Sequence, residues 1–206
     1  MHACDAPEAR GFSTRSGRWA TRAGALVLLT LATLALVAIP SGTAQAEPIS
    51  QAPQRRLTSP PNAALPGFTL PDLAGVPLRL EAQRDRVVLV HFFATWCEPC
   101  REELASLSRL AQGPLSGRLA IVAVNVAEVP VRVRRFMEAA PVAFPVVLDA
   151  DRGVTRAWGV GVLPTTFVLG PGLQPRLFVE GDLDWSRPEI LSALEAVGVD
   201  AGRREF

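Results

Sequence analysis

The chain of 206 residues contains no lysine, few cysteines and only two histidines. Its 21 basic residues are all arginines, which we attribute to the composition bias of the genome, and 20 acidic residues balance them. A protein that binds nucleic acid or an anionic membrane surface usually carries a clear excess of positive charge. The balance here gives no indication of that kind of binding, and we expect no nucleic-acid partner.

Residues 1–46 have the pattern of an export signal. Four arginines precede an apolar stretch from Ala25 to Ile39, and the small residues "AQA" at 44–46 follow it. A basic lead, a short apolar run and an A-x-A ending are typical of a secretory signal peptide that is cleaved. The run is shorter than the roughly 20 apolar residues of a membrane span, but a retained N-terminal membrane anchor is the alternative. Both interpretations predict a periplasmic or extracytoplasmic protein with, at most, a membrane tether.

The rest of the chain divides into a linker, a domain and a tail. Residues 47–64 are rich in proline and lack apolar periodicity, which predicts a semi-extended linker. Removing residues 1–46 leaves 160 residues, 17 of them basic and 18 acidic, a length that suits one domain with a sizeable core. We place the domain at residues 65–200 and a short tail at residues 201–206.

Strand and helix patterns alternate through the domain. Continuous apolar runs at Arg86–Ala94 and Arg118–Val126 predict strands buried on both faces, and helical spacing follows each of them. Two short strands around an Asp72–Gly75 turn come first, and an antiparallel strand pair around the turn at residues 170–175 comes late. The segment Arg187–Gly198 predicts a closing amphipathic helix that ends at Gly198. This order predicts an α/β fold, a three-layer sandwich with a mixed central sheet.

Only two cysteines, Cys97 and Cys100, remain after removal of residues 1–46, together with a single histidine, His91. A structural zinc site needs four ligands, so the ligand count excludes one. A disulfide that spans two intervening residues constrains the unfolded chain very little, which makes a purely structural role weak. The spacing therefore favours redox chemistry, and we expect neither a metal nor a cofactor.

The sequence around these cysteines resembles a known superfamily. The stretch "VVLVHFFATWCEPCREEL" followed by "GVGVLPTTFVLG" is similar to thioredoxins, in particular to the exported thiol–disulfide oxidoreductases of the TlpA/ResA type. The resemblance covers about residues 65–198, including the leading hairpin and an inserted strand–helix element around residues 140–158. It implies a thioredoxin-like fold with a redox-active disulfide between Cys97 and Cys100.

The resemblance also implies roles for the residues near the disulfide. Cys97 would be the exposed nucleophile, because a helix N-terminus stabilises a thiolate, and Cys100, one turn later, would resolve the mixed disulfide. Pro164 matches the cis-proline of the superfamily, with the Leu163 backbone pairing with an incoming peptide. The predicted substrate-binding residues are Trp96, which would cover the disulfide, Leu163, Pro164 and Thr165.

Two further residues have two interpretations each. The resemblance implies that Glu103 handles the proton of the cysteine pair, and the alternative is a solvent-facing acid in the first helical turn. His91 departs from the family, which places an acid or an asparagine there. It could relay protons near neutral pH, or it could be a core histidine satisfied by one hydrogen bond. Trp158 and Trp185 are most simply core residues.

Several functions fit this pattern. The resemblance implies a protein-disulfide reductase that acts in cytochrome c maturation or keeps copper-site cysteines reduced. Its partners would be disulfide-containing proteins, such as apocytochrome c or copper-site proteins, and a membrane electron donor. The alternatives are a periplasmic oxidant or isomerase, a copper-binding assembly protein and a binding module with a vestigial pair. A copper role is disfavoured because no histidine follows His91.

Overall fold

The computed structural model of the protein describes residues 56–202. The predicted signal peptide or anchor at residues 1–46, the first half of the predicted linker and the end of the predicted tail lie outside these residues. Of the helices within the described part, none combines the length and the apolar composition needed to cross a membrane.

Seven strands and four α-helices form the described part of the domain. The strands are β1 Thr69–Pro71, β2 Pro77–Arg79, β3 Val87–Phe93, β4 Leu119–Val126, β5 Val146–Asp149, β6 Thr165–Gly170 and β7 Gln174–Glu180. The α-helices are α1 Glu98–Ala111, α2 Pro130–Ala139, α3 Gly153–Ala157 and α4 Pro188–Gly202, and short 3-10 turns occupy Leu80–Gln83 and Pro171–Leu173. Each predicted strand and helix is present.

A five-stranded mixed sheet in the order β5-β4-β3-β6-β7 lies at the centre. Strand β3 runs parallel to β4 and antiparallel to β6, and every residue of β3 is buried. The uninterrupted apolar sequence of β3 is explained by this position, because a central strand is covered on both faces. The predicted mixed sheet is confirmed.

Alternate residues of the central strands face two different layers. Val88, Val90 and Phe92 pack with Trp158 on one face of β3. On the other face, Leu89 packs with residues of α1 and α4. These residues include Leu107, Leu110, Ile190, Leu194 and Val197. The three predicted layers follow from this alternation, because successive strand side chains point to opposite sides.

The leading hairpin forms as the sequence predicts. Strands β1 and β2 pair antiparallel, and Asp72 Oδ1 accepts from the backbone N–H groups of Ala74 and Val76, both at 2.8 Å. Gly75 has a φ of 86°, which glycine adopts without steric cost. The side chain of Asp72 and the freedom of Gly75 together build the turn.

The predicted end of the last helix is wrong. Gly198 does not stop α4, which continues to Gly202. A Cβ atom added to Gly198 would lie 3.5 Å from Val87 Cγ2. That distance is an ordinary van der Waals contact, so an alanine would also fit at this position.

The chain joins the domain before residue 65. Thr58 exchanges two backbone hydrogen bonds with Phe178, of 2.9 and 2.8 Å, and thereby bridges to β7. Leu57 packs against the cluster that α1 and α4 form on the sheet. This bridge covers part of an edge strand whose backbone groups would otherwise be unpaired.

Candidate active site

The cysteine pair lies where β3 ends and α1 begins. Cys97 and Cys100 form a disulfide, with their Cα atoms 5.3 Å apart. Cys97 is the residue that caps α1, and its Sγ accepts from the backbone N–H of Cys100 at 3.3 Å. Cys97 is 6% exposed and Cys100 is fully buried. Cys97 is therefore the cysteine of the pair that reaches the surface, although only a small part of it does.

Two exposed side chains follow the first cysteine. Glu98 forms an ion pair with Arg101 at 3.0 Å, and both side chains are more than half exposed. The carboxylate of Glu98 therefore points to solvent and is partly neutralised, which limits its repulsion of a Cys97 thiolate. Pro99 lies in the first helical turn, where its missing N–H costs no hydrogen bond.

Trp96 lies directly before the pair and is 67% exposed. Such exposure is unusual for the largest apolar side chain, so Trp96 is not a core residue. Val162, in the loop before Pro164, is 50% exposed. Exposed apolar groups beside a reactive pair are typical of a surface that contacts a partner.

The loop before β6 has the predicted backbone. The Leu163–Pro164 peptide bond is cis, which confirms the prediction for Pro164. The carbonyl of Pro164 accepts from the N–H of Gly181 at 2.7 Å. Thr165 is fully buried and its hydroxyl donates to the Val162 carbonyl at 2.7 Å. The side chain of Thr165 thus supports this loop from within rather than facing a partner.

Glu103 is buried, so the expected alternative of a solvent-facing acid is wrong. It lies on α1 one turn after Cys100 and is only 2% exposed. Its Oε1 accepts from Trp185 Nε1 at 2.6 Å and from the Thr166 hydroxyl at 3.3 Å. Its Oε2 has no hydrogen-bond partner within the described residues. The side-chain hydrogen bonds to this carboxyl group therefore all reach one oxygen, Oε1.

This environment changes the acidity of Glu103. Burial raises the pKa of Glu103 from 4.5 to about 8, because desolvation disfavours the carboxylate. Hydrogen bonds from the side chains of Trp185 and Thr166 and from the backbone of Leu183 lower the pKa of Glu103. The negative charge of Asp182 raises it further. Near neutral pH the group therefore changes protonation easily, as a general acid or base requires.

His91 lies beside this carboxyl group because of strand register. His91 of β3 pairs directly with Thr166 of β6, and its Nδ1 is 2.9 Å from the Thr166 hydroxyl oxygen. Since that hydroxyl donates to Glu103, its oxygen accepts from His91 Nδ1–H. The His91 Nδ1 atom and Glu103 Oε1 are 3.8 Å apart.

His91 is fully buried, and its Nε2 lacks a hydrogen-bond partner among residues 56–202. Burial lowers the pKa of His91 from 6.5 to about 3, so the ring is neutral near pH 7. A single hydrogen bond to a neutral ring is what a core histidine needs. A proton relay would require the imidazolium form, which this burial opposes.

A second buried carboxylate holds the loop that carries the cysteines. Glu128 is 7% exposed and accepts from both the backbone N–H and the hydroxyl of Thr95, each at 2.6 Å. It also accepts from Asn125 Nδ2 at 2.7 Å. Because Thr95 lies in the loop of residues 94–97 between β3 and α1, here called the redox loop, this contact fixes that loop to the end of β4.

The sequence interpretation did not identify Glu128, Thr95 or Asn125, nor the bond from Trp185 to Glu103. The carboxyl ends of β3 and β4 meet at one edge of the sheet, where functional groups gather in α/β folds. That rule could have pointed to Asn125 and Glu128, which follow directly on a predicted strand. Trp158 and Trp185 are both core residues, with 1% and 0% exposure.

A disulfide at the first turn of a helix, set at the end of a buried strand in this mixed sheet, is an arrangement suited to thiol–disulfide exchange. The model of the AhpC/TSA family matches residues 61–173, more than half of the chain. The chain belongs to the AhpC/TSA family.

Similar proteins support the resemblance to the ResA type. The thiol-disulfide oxidoreductase ResA of Bacillus subtilis is 42% identical over 106 residues, which are 52% of this chain and 59% of that protein. ResA of Geobacillus thermodenitrificans is 34% identical over 132 residues, 64% of this chain and 75% of that protein. A solved structure of a thiol:disulfide interchange protein of the thioredoxin family from Chlorobium tepidum is 25% identical, with a TM-score of 0.55, and the match covers 68% of this chain and 97% of that one.

Proposed function

We propose that the protein is an extracytoplasmic protein-disulfide reductase. The observation that carries the proposal is the position of Glu103, a buried acid with a raised pKa one helical turn behind a disulfide whose outer cysteine reaches the surface. The export-signal pattern of residues 1–46 supports an extracytoplasmic location.

The surface around the pair suits a polypeptide partner. The backbone N–H and carbonyl of Leu163 make no hydrogen bond within the described part of the chain. An extended partner segment can therefore pair with Leu163 as an added strand. Trp96 and Val162 are exposed on the same surface and give the segment apolar contacts. The partner disulfide would then lie over Cys97.

The exchange proceeds in two displacements. The Cys97 thiolate attacks one sulfur of the partner disulfide, forms a mixed disulfide and expels the other partner sulfur, which takes a proton from solvent. Cys100 then attacks the Cys97 sulfur, closes the Cys97–Cys100 disulfide and expels the second partner sulfur as a thiolate, which takes a proton from solvent. The partner gains two electrons and the enzyme loses two.

Glu103 takes the proton that Cys100 gives up in the second displacement. A raised pKa suits the oxidised state, because the carboxyl group keeps this proton near neutral pH. When the disulfide is reduced again, Glu103 returns the proton to Cys100. The electrons for that step would come from a membrane electron donor. The proposed substrates are apocytochrome c or proteins with metal-site cysteines.

The reduction potential tests the direction of transfer. Chain residues 47–206 are equilibrated with glutathione buffers, and the fraction of Cys97–Cys100 disulfide is measured. A reductase should have a potential on the order of −250 mV, near that of thioredoxin. A potential above about −150 mV, in the range of strong periplasmic oxidants, would contradict the proposal and favour an oxidant.

A further inference from the structure

A small cleft opens beside the redox loop. Its volume is about 230 Å³, and exposed Trp96 and Val162 form part of its rim. The remaining lining comes from the end of β4, from α3 and from the loop before β6: Val126, Ala127, Arg152, Thr155, Val160, Gly161 and Leu163. The cleft is below the roughly 300 Å³ at which pockets for small ligands begin, so it suits one or two side chains of a polypeptide.

The cleft has apolar walls and one charged residue. Arg152 alone among its lining residues carries a charge, and its side chain is exposed. In the part of the chain that the structure describes, the guanidinium of Arg152 has neither a hydrogen bond nor an ion pair. A cation left in this state beside a binding surface is available to a partner.

The neighbouring acids form no ion pair with Arg152 among residues 56–202, and their hydrogen bonds go to groups at the start of α3. Asp149 accepts from the N–H groups of Val154 and Thr155, at 3.2 and 2.7 Å, and from the Thr155 hydroxyl. Asp151 Oδ1 accepts from the N–H of Gly153 at 2.9 Å. Both carboxylates thus shape the start of α3.

We propose that this cleft selects partner segments that carry an acidic side chain close to the reactive cysteine. The inference rests on the proposed function, because Trp96 and Leu163 belong both to the cleft and to the surface on which the partner cysteine would lie. An extended segment rises about 3.3 Å per residue and sends alternate side chains to one side. Because Trp96 directly precedes Cys97 and lines the same cleft as Arg152, the acidic residue should lie a few positions from the partner cysteine, with its carboxylate on Arg152.

Synthetic peptides test this preference. Each peptide contains one cysteine, blocked as a disulfide with neutral 2-mercaptoethanol, and carries Glu, Gln or Lys two positions before or after it. The measured quantity is the ratio of rate constants for reduction of the Glu and Gln peptides. An exposed ion pair contributes little, so we expect a ratio of about two- to fivefold in the natural chain, and it should decrease with salt.

Variants of Arg152 separate this contact from other effects of the peptide charge. Arg152→Gln should bring the Glu/Gln ratio close to one, and Arg152→Glu should favour the Lys peptide instead. Arg118→Gln is the matched control, because it removes the same charge at the opposite end of the sheet, where Arg118 lies 3.8 Å from Glu195. This control should keep the natural ratio.

Two results would overturn the proposal. One is a ratio near one in the natural chain at both peptide positions, and the other is a ratio that survives in Arg152→Gln. Thermal unfolding of each variant shows whether it is folded, and the reversed preference of Arg152→Glu cannot arise from unfolding. Failure of every peptide, including the Gln peptide, would refute the proposed function itself and this inference with it.

Discussion

Glu103 and Glu128 are two buried glutamates near the redox loop, and their carboxyl groups differ in the hydrogen bonds that they accept. Glu128 uses both carboxylate oxygens and accepts three hydrogen bonds of 2.6 to 2.7 Å. Glu103 accepts on Oε1 alone, and its Oε2 has no hydrogen-bond partner among residues 56–202. Both carboxyl oxygens of Glu128 therefore accept hydrogen bonds, whereas Oε2 of Glu103 accepts none among the described residues.

This difference in hydrogen bonding indicates a structural role for one glutamate and a proton-transfer role for the other. A carboxylate that receives three short hydrogen bonds fixes the groups that donate to it, and here those groups belong to Thr95 and Asn125. A desolvated carboxyl group with a free oxygen gains and loses a proton near neutral pH. We therefore assign Glu128 to positioning the loop and Glu103 to proton transfer.

Loss of either cysteine should have the largest effect. Cys97→Ser and Cys100→Ser should each reduce turnover by about a thousandfold or more, because a nucleophile is lost. Only Cys100→Ser should accumulate mixed disulfides with partners, which non-reducing gels detect. In that variant, Glu103→Gln should not change the trapping rate, since the thiol that Glu103 serves is already absent. Trapping through Cys100 alone would reverse the assignment of the two cysteines.

Glu103→Gln should reduce turnover near pH 7 by about a hundredfold, the lower end of what general acid–base catalysis contributes. The substituted amide still accepts from Trp185, so the fold should persist. The pH–rate profile is the decisive measurement, and it should lose its dependence near pH 8. Glu128→Gln serves as the comparison, because it should lower the rate without changing the shape of the profile. An unchanged profile in Glu103→Gln would refute the role of Glu103.

Glu128→Gln should instead reduce the free energy of unfolding, by about 1–3 kcal/mol, because one of the two oxygens that accept from Thr95 and Asn125 becomes an amide NH2 group, which cannot accept. Thr95→Val is a matched variant that removes only the hydroxyl contact and keeps the backbone N–H, so it should cost about 1 kcal/mol. Denaturant unfolding measures both. Equal stability of Glu128→Gln and the natural chain would show that this contact does not hold the loop.

Stability should also depend on pH through the two buried groups. Because the pKa of Glu103 is raised, its protonated form stabilises the folded state. This contribution to the free energy of unfolding is fully present below about pH 4.5 and is lost as the pH rises to about 8. The lowered pKa of His91 has the opposite effect, so stability from His91 increases between about 3 and 6.5. Between pH 6.5 and 8 only the loss from Glu103 is left.

We therefore expect the free energy of unfolding to fall from pH 6.5 to 8, by at most about 1.4 kcal/mol per pH unit. Chemical denaturation at several pH values checks this slope. Glu103→Gln should remove the fall, whereas Thr95→Val should keep it. A free energy that rises over this interval in the natural chain would contradict the predicted sign.

The sequence predicts much of this structure because local patterns determine it. The buried strands β3 and β4 read as continuous apolar runs, and the helix after Cys97 has a clear apolar stripe. The spacing of the two cysteines and the stretch around Pro164 carry the redox chemistry within short segments. These features need no knowledge of distant contacts.

What the sequence does not reveal depends on contacts between distant residues. Glu103 and Trp185 are 82 residues apart, and Thr95 and Glu128 are 33 apart, so no local pattern links them. The burial of Glu103 could not be predicted either, because an acid in the first turns of a helix is usually solvated.

The most direct test of the central claim is an NMR titration of both glutamates in one sample. The oxidised chain carries carbon-13 in its glutamate carboxyl groups, and Glu103→Gln and Glu128→Gln assign the two signals. We predict that the Glu103 signal titrates with a pKa of about 8 in the disulfide form. A Glu103 signal that titrates near 4.5, the ordinary value for glutamate, would show that this buried acid does not hold the proton of the cysteine pair.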